Sequence, residues 1–198
     1  MDLLKDLDFT IELEKMKKVY RRTRVMGEER NENDAEHSWH ISVMAMFLWK
    51  YMDEGIRSEI DIDKVLKMLL IHDIVEIYVG DTFAYDASGN EDKHDRELRA
   101  MEKIKSQLSE ENAELVSQLW EEFEEMKSAD ALFANAMDRL QPIMNNIRSE
   151  TGGTWREFGV TKAQLLKRME PISKVSEELY AYLLDKVEEN IQKGNILH

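Results

Sequence analysis

Apolar residues recur three and four positions apart through most of this chain, the spacing of one face of an α-helix. The first such stretch predicts a helix from about Thr10 to Thr23, striped by Leu13, Met16, Val19 and Tyr20 and ending in the cations Arg21, Arg22 and Arg24. A polar loop follows. Asn33 and Glu36 then have the spacing of a capping box. A second helix is expected from Asp34 to about Glu54, apolar nearly all round, with Trp39 and its methionines in the core. A third, about Asp63 to Val79, is also mostly apolar, and Gly80 ends it.

The residues from Asp81 to Asn90 read as a loop. Two further helices are expected from Glu91 to about Leu108 and from Ser109 to about Met126, with Glu121, Glu122, Glu124 and Glu125 on solvated faces. Ser128 should cap a sixth, holding Leu132, Phe133, Ala136, Met137, Leu140, Ile143 and Met144. Thr151 to Arg156 is expected to be a loop. Thr161 and Gln164 can box a helix ending at Pro171, and a last helix, about Ser173 to Gln192, should close at Gly194. No Pro- or Gly-rich linker divides these elements. The expectation is one all-α domain spanning residues 1–198.

Composition narrows the chemistry. The 198 residues hold no cysteine, so a metal site would have to use His, Asp and Glu, which suit borderline or hard divalent ions. A net charge of −14 repels nucleic acid polymers. The longest strongly apolar run, Val43 to Trp49, is too short to span a bilayer, and the first residues show no signal-peptide pattern. A soluble cytoplasmic protein is expected, with no membrane partner.

The candidate chemistry lies where charge interrupts apolar helices, because buried charge is costly unless it is paired or bound to metal. His37 and His40 fall in the first turns of the second helix; both can be ligands, or one can simply pack. His72, Asp73 and Glu76 interrupt the third helix, and Asp81 follows its end. Asp138 lies in the sixth, four residues before Pro142, whose missing N–H frees the Asp138 carbonyl. Asp138 is either a ligand or a partner of Arg139 or a surface lysine. Two imidazoles and two carboxylates, His37, His72, Asp73 and Asp138, make a set for one divalent ion with open positions. Such an ion can activate water and polarise a phosphoryl oxygen. Glu76, one turn past His72, can act as general acid or base.

The order H…HD…D resembles the HD-domain superfamily of metal-dependent phosphohydrolases. The segment Glu32 to Ser38, with His72-Asp73-x-x-Glu76-x-x-x-Gly80-Asp81, resembles its single-domain 5′-deoxynucleotidase branch, the YfbR-like and HDDC2-like proteins. The similarity continues through Asp81 to Tyr85, the Asp138 helix and Trp155 to Glu157. It implies a helical HD bundle around a buried mononuclear metal site, usually a homodimer, hydrolysing nucleoside 5′-monophosphates. It implies metal ligation by His37, His72, Asp73 and Asp138, and acid/base chemistry at Glu76. It implies substrate contact at Asp81 with its neighbour Thr82, and phosphate orientation by Arg22. Thr23 stands where bacterial members with deoxynucleotide preference carry Trp, so a sugar-selecting contact is either lost or supplied from elsewhere, by Trp39 or Trp155. Cobalt, manganese, magnesium, zinc and nickel all suit the donor set. The rival readings are an HD-type phosphodiesterase or guanosine-tetraphosphate hydrolase, and a non-catalytic helical module with a structural metal.

Overall fold

The computed structural model describes residues 1–86 and 88–197, so Ala87, inside the expected loop after Asp81, lies outside the described residues. The chain opens with α1 (Asp2–Glu12) and a 3₁₀ turn, Leu13–Lys18, that buries Met16. The expected helix from Thr10 to Thr23 does not form as such. Its second half is a strand, β1 (Tyr20–Arg24), paired antiparallel with β2 (Asn31–Asn33). Alternation along β1 sends Arg21 and Thr23 inward and leaves Arg22 and Arg24 exposed. Three arginines in five residues hid that period of two from the hydrophobic pattern.

The strand pair feeds α2 (Asp34–Leu48). Asn33 caps it: its side chain accepts the Glu36 N–H at 3.0 Å, and Glu36 accepts the Asn33 N–H at 3.2 Å. The helix stops short of Glu54 in a 3₁₀ turn, Trp49–Tyr51, before the one-turn α3 (Glu54–Arg57). Trp39 is 65% exposed and Phe47 66%, and Met46 is exposed with them. The core expectation for Trp39 and Met46 therefore fails. An apolar stripe shows that a face is apolar, not that this chain covers it.

Then come α4 (Ile62–Ile71) and α5 (Glu76–Val79), in place of one helix from Asp63 to Val79. Between them the backbone tightens to i→i+3 bonds: Ile74 N to Ile71 O at 3.0 Å and Glu76 N to Asp73 O at 2.9 Å. Gly80, at φ +73°, ends α5 as expected. Next are α6 (Lys93–Gln107), α7 (Glu110–Glu125) and α8 (Ala129–Arg148), with Ser109 and Ser128 capping α7 and α8. The segment after Thr151 holds a short helix, α9 (Gly153–Glu157). Thr161 and Gln164 form the expected box on α10 (Lys162–Arg168). The chain turns at Met169 into α11 (Glu170–Val175), with Pro171 in its first turn, where the missing N–H costs nothing. The last helix, α12 (Glu177–Gln192), starts after a Ser176 cap rather than at Ser173.

The architecture is all-α apart from the small strand pair. Helix α8 is its axis, packed by α2, α4, α7 and α11. Ala131, Ala134 and Ala136 are fully buried on it, and small side chains let neighbouring helices approach closely. A larger core spans α2, α4, α8, α11 and α12; a smaller one joins α1, α5, α6 and α7 around Trp120 and Ile104. Among the described residues no helix is long and apolar enough to cross a membrane.

The Asn33 cap sets the first turn of α2, which carries His37. Asn33→Ala is expected to cost about 1 kcal/mol of stability, measured by urea unfolding. A midpoint identical to the parent protein's would show that the box contributes nothing.

Candidate active site

Four elements converge on one cluster. His37 comes from α2, His72 and Asp73 from the break between α4 and α5, Asp138 from the middle of α8, and Arg21 from the inward face of β1. His37, His72 and Asp138 each offer a ligand atom within 4.8 Å of the others. His37 Nε2 lies 3.1 Å from Asp138 Oδ1, and His72 Nε2 lies 3.8 Å from the same oxygen and 3.0 Å from Asp73 Oδ2.

The other ring nitrogens fix both tautomers. His72 Nδ1 donates to the Leu69 carbonyl at 2.9 Å; that carbonyl lies in the last turn of α4, where helical donors run out. His37 Nδ1 faces Gln141 Oε1 at 3.2 Å. The Gln141 amide is oriented by Glu32, whose carboxylate accepts its Nε2–H at 2.8 Å, so Oε1 must face the imidazole. With both Nδ1 atoms donating, both Nε2 atoms aim at carboxylate oxygens. His72 Nε2 is buried and has no hydrogen-bond partner. A proton or a cation has to lie among these atoms, and two imidazoles with adjacent carboxylates are the donor chemistry of a divalent metal site. The residues fit such an ion.

Arg21 holds the carboxylates. Its Nη1 donates to Asp73 Oδ2 at 2.7 Å and lies 3.5 Å from Asp34 Oδ1. Arg168, on α10, donates to Asp138 Oδ2 at 3.3 Å, leaving Oδ1 for the histidines. Asp138 thus pairs with neither Arg139 nor a surface lysine. His40 is not part of the group; its Nδ1 lies 3.4 Å from Gln141 Nε2.

Asp34, Asp73 and Glu76 form a second group, with one oxygen of each within 4.8 Å of the others. Burial, then the charges of Asp73, Asp34 and Asp81, raise the Glu76 carboxyl well above the usual range. Burial and Asp73 push Asp34 up to about 7, and burial raises Asp81. Asp73 and Asp138 go the other way. Burial opposes the shift, but His72 and Arg21 hold Asp73 low, and the nearby imidazoles of His37 and His72, with Arg168, hold Asp138 low. Burial alone would lower His72; Asp73 and Asp138 outweigh it and push the imidazole up to about 10.

These groups open onto a cavity of about 210 Å³. His72, Asp73, Glu76, Asp81, Thr82 and Asp138 line it, while His37 lies fully buried behind. Arg22 also lines it, exposed and with no ion pair among the described residues, and Thr82 Oγ1 accepts from Arg96 at 3.3 Å. Of the two tryptophans, buried Trp155 reaches the cavity and Trp39 does not. Buried Thr23 lines it too. The sequence reading missed Arg21 as the inward arginine, along with Asp34, Gln141 and Arg168. It placed Glu124 on a solvated face, but Glu124 lines the cavity and is raised by burial. The inward face of β1 was the available signal for Arg21, once a strand was assigned there.

The family model described as HD domain matches residues 13–180. The chain is 33% identical to human 5′-deoxynucleotidase HDDC2 over 116 residues, 59% of this chain and 53% of that protein. It is 33% identical to the Dictyostelium discoideum protein of the same name over 121 residues, 60% of this chain and 63% of that protein. The chain thus spans between about half and under two thirds of the length of these curated relatives. Among solved structures, a predicted metal-dependent phosphohydrolase from Magnetospirillum magnetotacticum MS-1 superposes with a TM-score of 0.90 at 42% identity, over 100% of this chain and 96% of that one.

The carboxyl shifts give metal-free protein a signed pH dependence. Asp34 keeps its proton to about 7 when folded but ionises near 4 when unfolded, so its contribution falls as pH rises through that window. His72 contributes fully below the unfolded value of about 6.5 and loses that contribution as pH rises through its folded value. Asp34→Asn should therefore raise the Tm of chelator-treated protein at about pH 8 and change it little at about pH 4. Thermal unfolding by circular dichroism checks this; an equal shift at both pH values would overturn it.

Proposed function

This chain belongs to the HD-domain family, and on that footing we propose that it is a metal-dependent phosphomonoesterase hydrolysing nucleoside 5′-monophosphates, deoxynucleotides among them, to nucleoside and phosphate. The observation that carries the reading is the pair of buried imidazoles, each with Nδ1 committed as a donor and Nε2 turned to carboxylates beside a cavity that Glu76 lines. The deoxynucleotidase names of the relatives and the phosphohydrolase name of the structural neighbour support the substrate class.

His37, His72, Asp73 and Asp138 would hold one divalent ion. Cobalt, manganese, magnesium, zinc and nickel all suit this nitrogen and oxygen set. When bound, the ion supplies Lewis acidity toward water and a phosphoryl oxygen. Arg22, whose guanidinium has no ion pair among the described residues, meets the phosphate from the cavity wall. Arg21 is already committed to Asp73 and positions that carboxylate. Glu76 keeps its proton because burial and three neighbouring carboxylates disfavour its charge, and it gives that proton to the departing 5′ oxygen. Asp81 accepts a hydrogen bond from the substrate, with Thr82 beside it on the same wall. Trp155 is the tryptophan within reach of a sugar or base.

We read residues 1–198 as one HD domain in the cytoplasm, where free nucleotides are met. A homodimer belongs to the same reading. The uncharged exposed side chains Trp39, Met46 and Phe47 along α2 support it, since two chains of charge −14 meet most readily on a neutral face.

Phosphate release from ribo- and 2′-deoxyribonucleoside 5′-monophosphates, by protein stripped with chelator and reloaded with each metal separately, tests the reaction. Release should require metal, and the deoxy-to-ribo ratio reads the sugar preference left by Thr23. Cleavage of diesters or pyrophosphates in its place would overturn the proposal. Asp73→Ala should lose both metal and turnover. Glu76→Gln should keep the metal and lower kcat about a hundredfold or more; an unchanged kcat would remove its role. Arg22→Ala should raise KM about tenfold with the metal affinity intact.

A further inference from the structure

One charged cluster lining the cavity has no part in the chemistry above. Lys93 is the first residue of α6, and Glu97 lies one turn on. Lys93 Nζ is 3.3 Å from Glu97 Oε1, and that carboxylate is almost wholly buried. Both residues line the cavity that holds His72, Asp73 and Glu76, and Glu124 joins them from the end of α7. An exposed lysine–glutamate pair one turn apart adds a few tenths of a kcal/mol to a helix. A pair drawn out of water gains little more, because desolvation offsets the attraction. Helix stability does not account for placing it here.

The geometry points to Lys93 as a second phosphate-binding cation of the active site, reaching the substrate's phosphate from the α6 side while Arg22 reaches it from β1. An ammonium has three donors and Glu97 engages it from one side, so donors remain for a ligand. Its side chain is one third exposed, and the residue lines the cavity. The other inner cations are committed: Arg21 to Asp73, Arg168 to Asp138, and Arg139 to the Arg168 carbonyl and Asn135. Burial alone would lower the Lys93 pKa; Glu97 and Asp73 are among the charges that outweigh it and keep the ammonium charged. A phosphate dianion entering a cavity lined by Asp73, Asp81, Glu97, Glu124 and Asp138 needs such a charge opposite those carboxylates. Glu97 holds the lysine stem in place and competes with the phosphate for it.

The inference rests on the phosphomonoesterase reading, and inorganic phosphate separates the two. Metal-loaded protein is titrated with phosphate by calorimetry, and KM and kcat are measured on a nucleoside 5′-monophosphate. Lys93→Met should weaken phosphate binding and raise KM about tenfold each, with kcat and metal affinity little changed, and Lys93→Arg should restore most of both. Glu97→Gln should move them the other way, tightening phosphate binding and lowering KM, which loss of a structural contact would not do. Unchanged phosphate affinity and KM in Lys93→Met, weaker binding in Glu97→Gln, or no phosphate binding by the parent protein would each overturn the inference. Phosphate binding that depends on Lys93 without turnover of any phosphomonoester would sustain Lys93 and overturn the reaction.

Discussion

Asp138 is the constraint around which this chain is built. Its carboxylate sits in the middle of the central helix, where an unpaired charge would cost several kcal/mol. One oxygen faces His37 and His72, and the other takes the Arg168 guanidinium. Those contacts tie α2, the α4–α5 break and α10 to α8. Each imidazole then needs a partner on its far side, which brings in the Leu69 carbonyl and the Glu32–Gln141 relay. The hydrophobic core supplies most of the folding energy, but this polar centre dictates how the central helices are oriented within it.

The break between α4 and α5 follows from the same demand. A continuous helix would run an unbroken apolar stripe from Leu69 past Val75. Instead the backbone tightens at His72, so the imidazole reaches back to its own helix end while Asp73 turns toward Arg21 and Glu76 toward Asp34. Hydrophobic spacing could not announce this, because Ile71, Ile74, Val75 and Ile77 keep a helical period straight through it. The long helices were legible for the complementary reason. In α7, α8 and α12 the period is regular and each opens on a serine cap, Ser109, Ser128 and Ser176, and the boxes at Asn33 and Thr161 form as read. The strand pair was not legible: β1 shows its alternation only through which arginine is inside, and β2 is three residues long.

The site divides along the same line. His37, His72, Asp73 and Asp138 stood out as charge within apolar helices, and burial brings them together. Asp34 was hidden because an acid in the first turn of a helix is ordinary. Lys93 and Glu124 were hidden because their helices are polar along much of their length, so one inward charge adds nothing visible to the pattern. Trp39 and Phe47 misled in the opposite sense. Periodicity reports that a face is apolar but is silent on whether the covering surface belongs to this chain.

The electrostatics of the cavity follow from which carboxylates have a cation beside them. Asp73 and Asp138 touch Arg21, Arg168 and the imidazoles, and are held ionised. Glu76 and Asp34 are buried and Asp81 half-buried, all with weaker compensation, and their proton affinity rises. Opposite shifts within one cavity are how a single fold provides both a ligand set and an acid at the same pH. Arg21 sharpens the contrast between Asp73 and Asp34: its short contact goes to Asp73, and Asp34 is left at 3.5 Å. For Asp73 the guanidinium adds to the larger effect of His72, while Asp138 is held low by the histidines and Arg168. The inward turn of one arginine on a five-residue strand therefore reinforces a division between Asp73 and Asp34 that the imidazole of His72 begins.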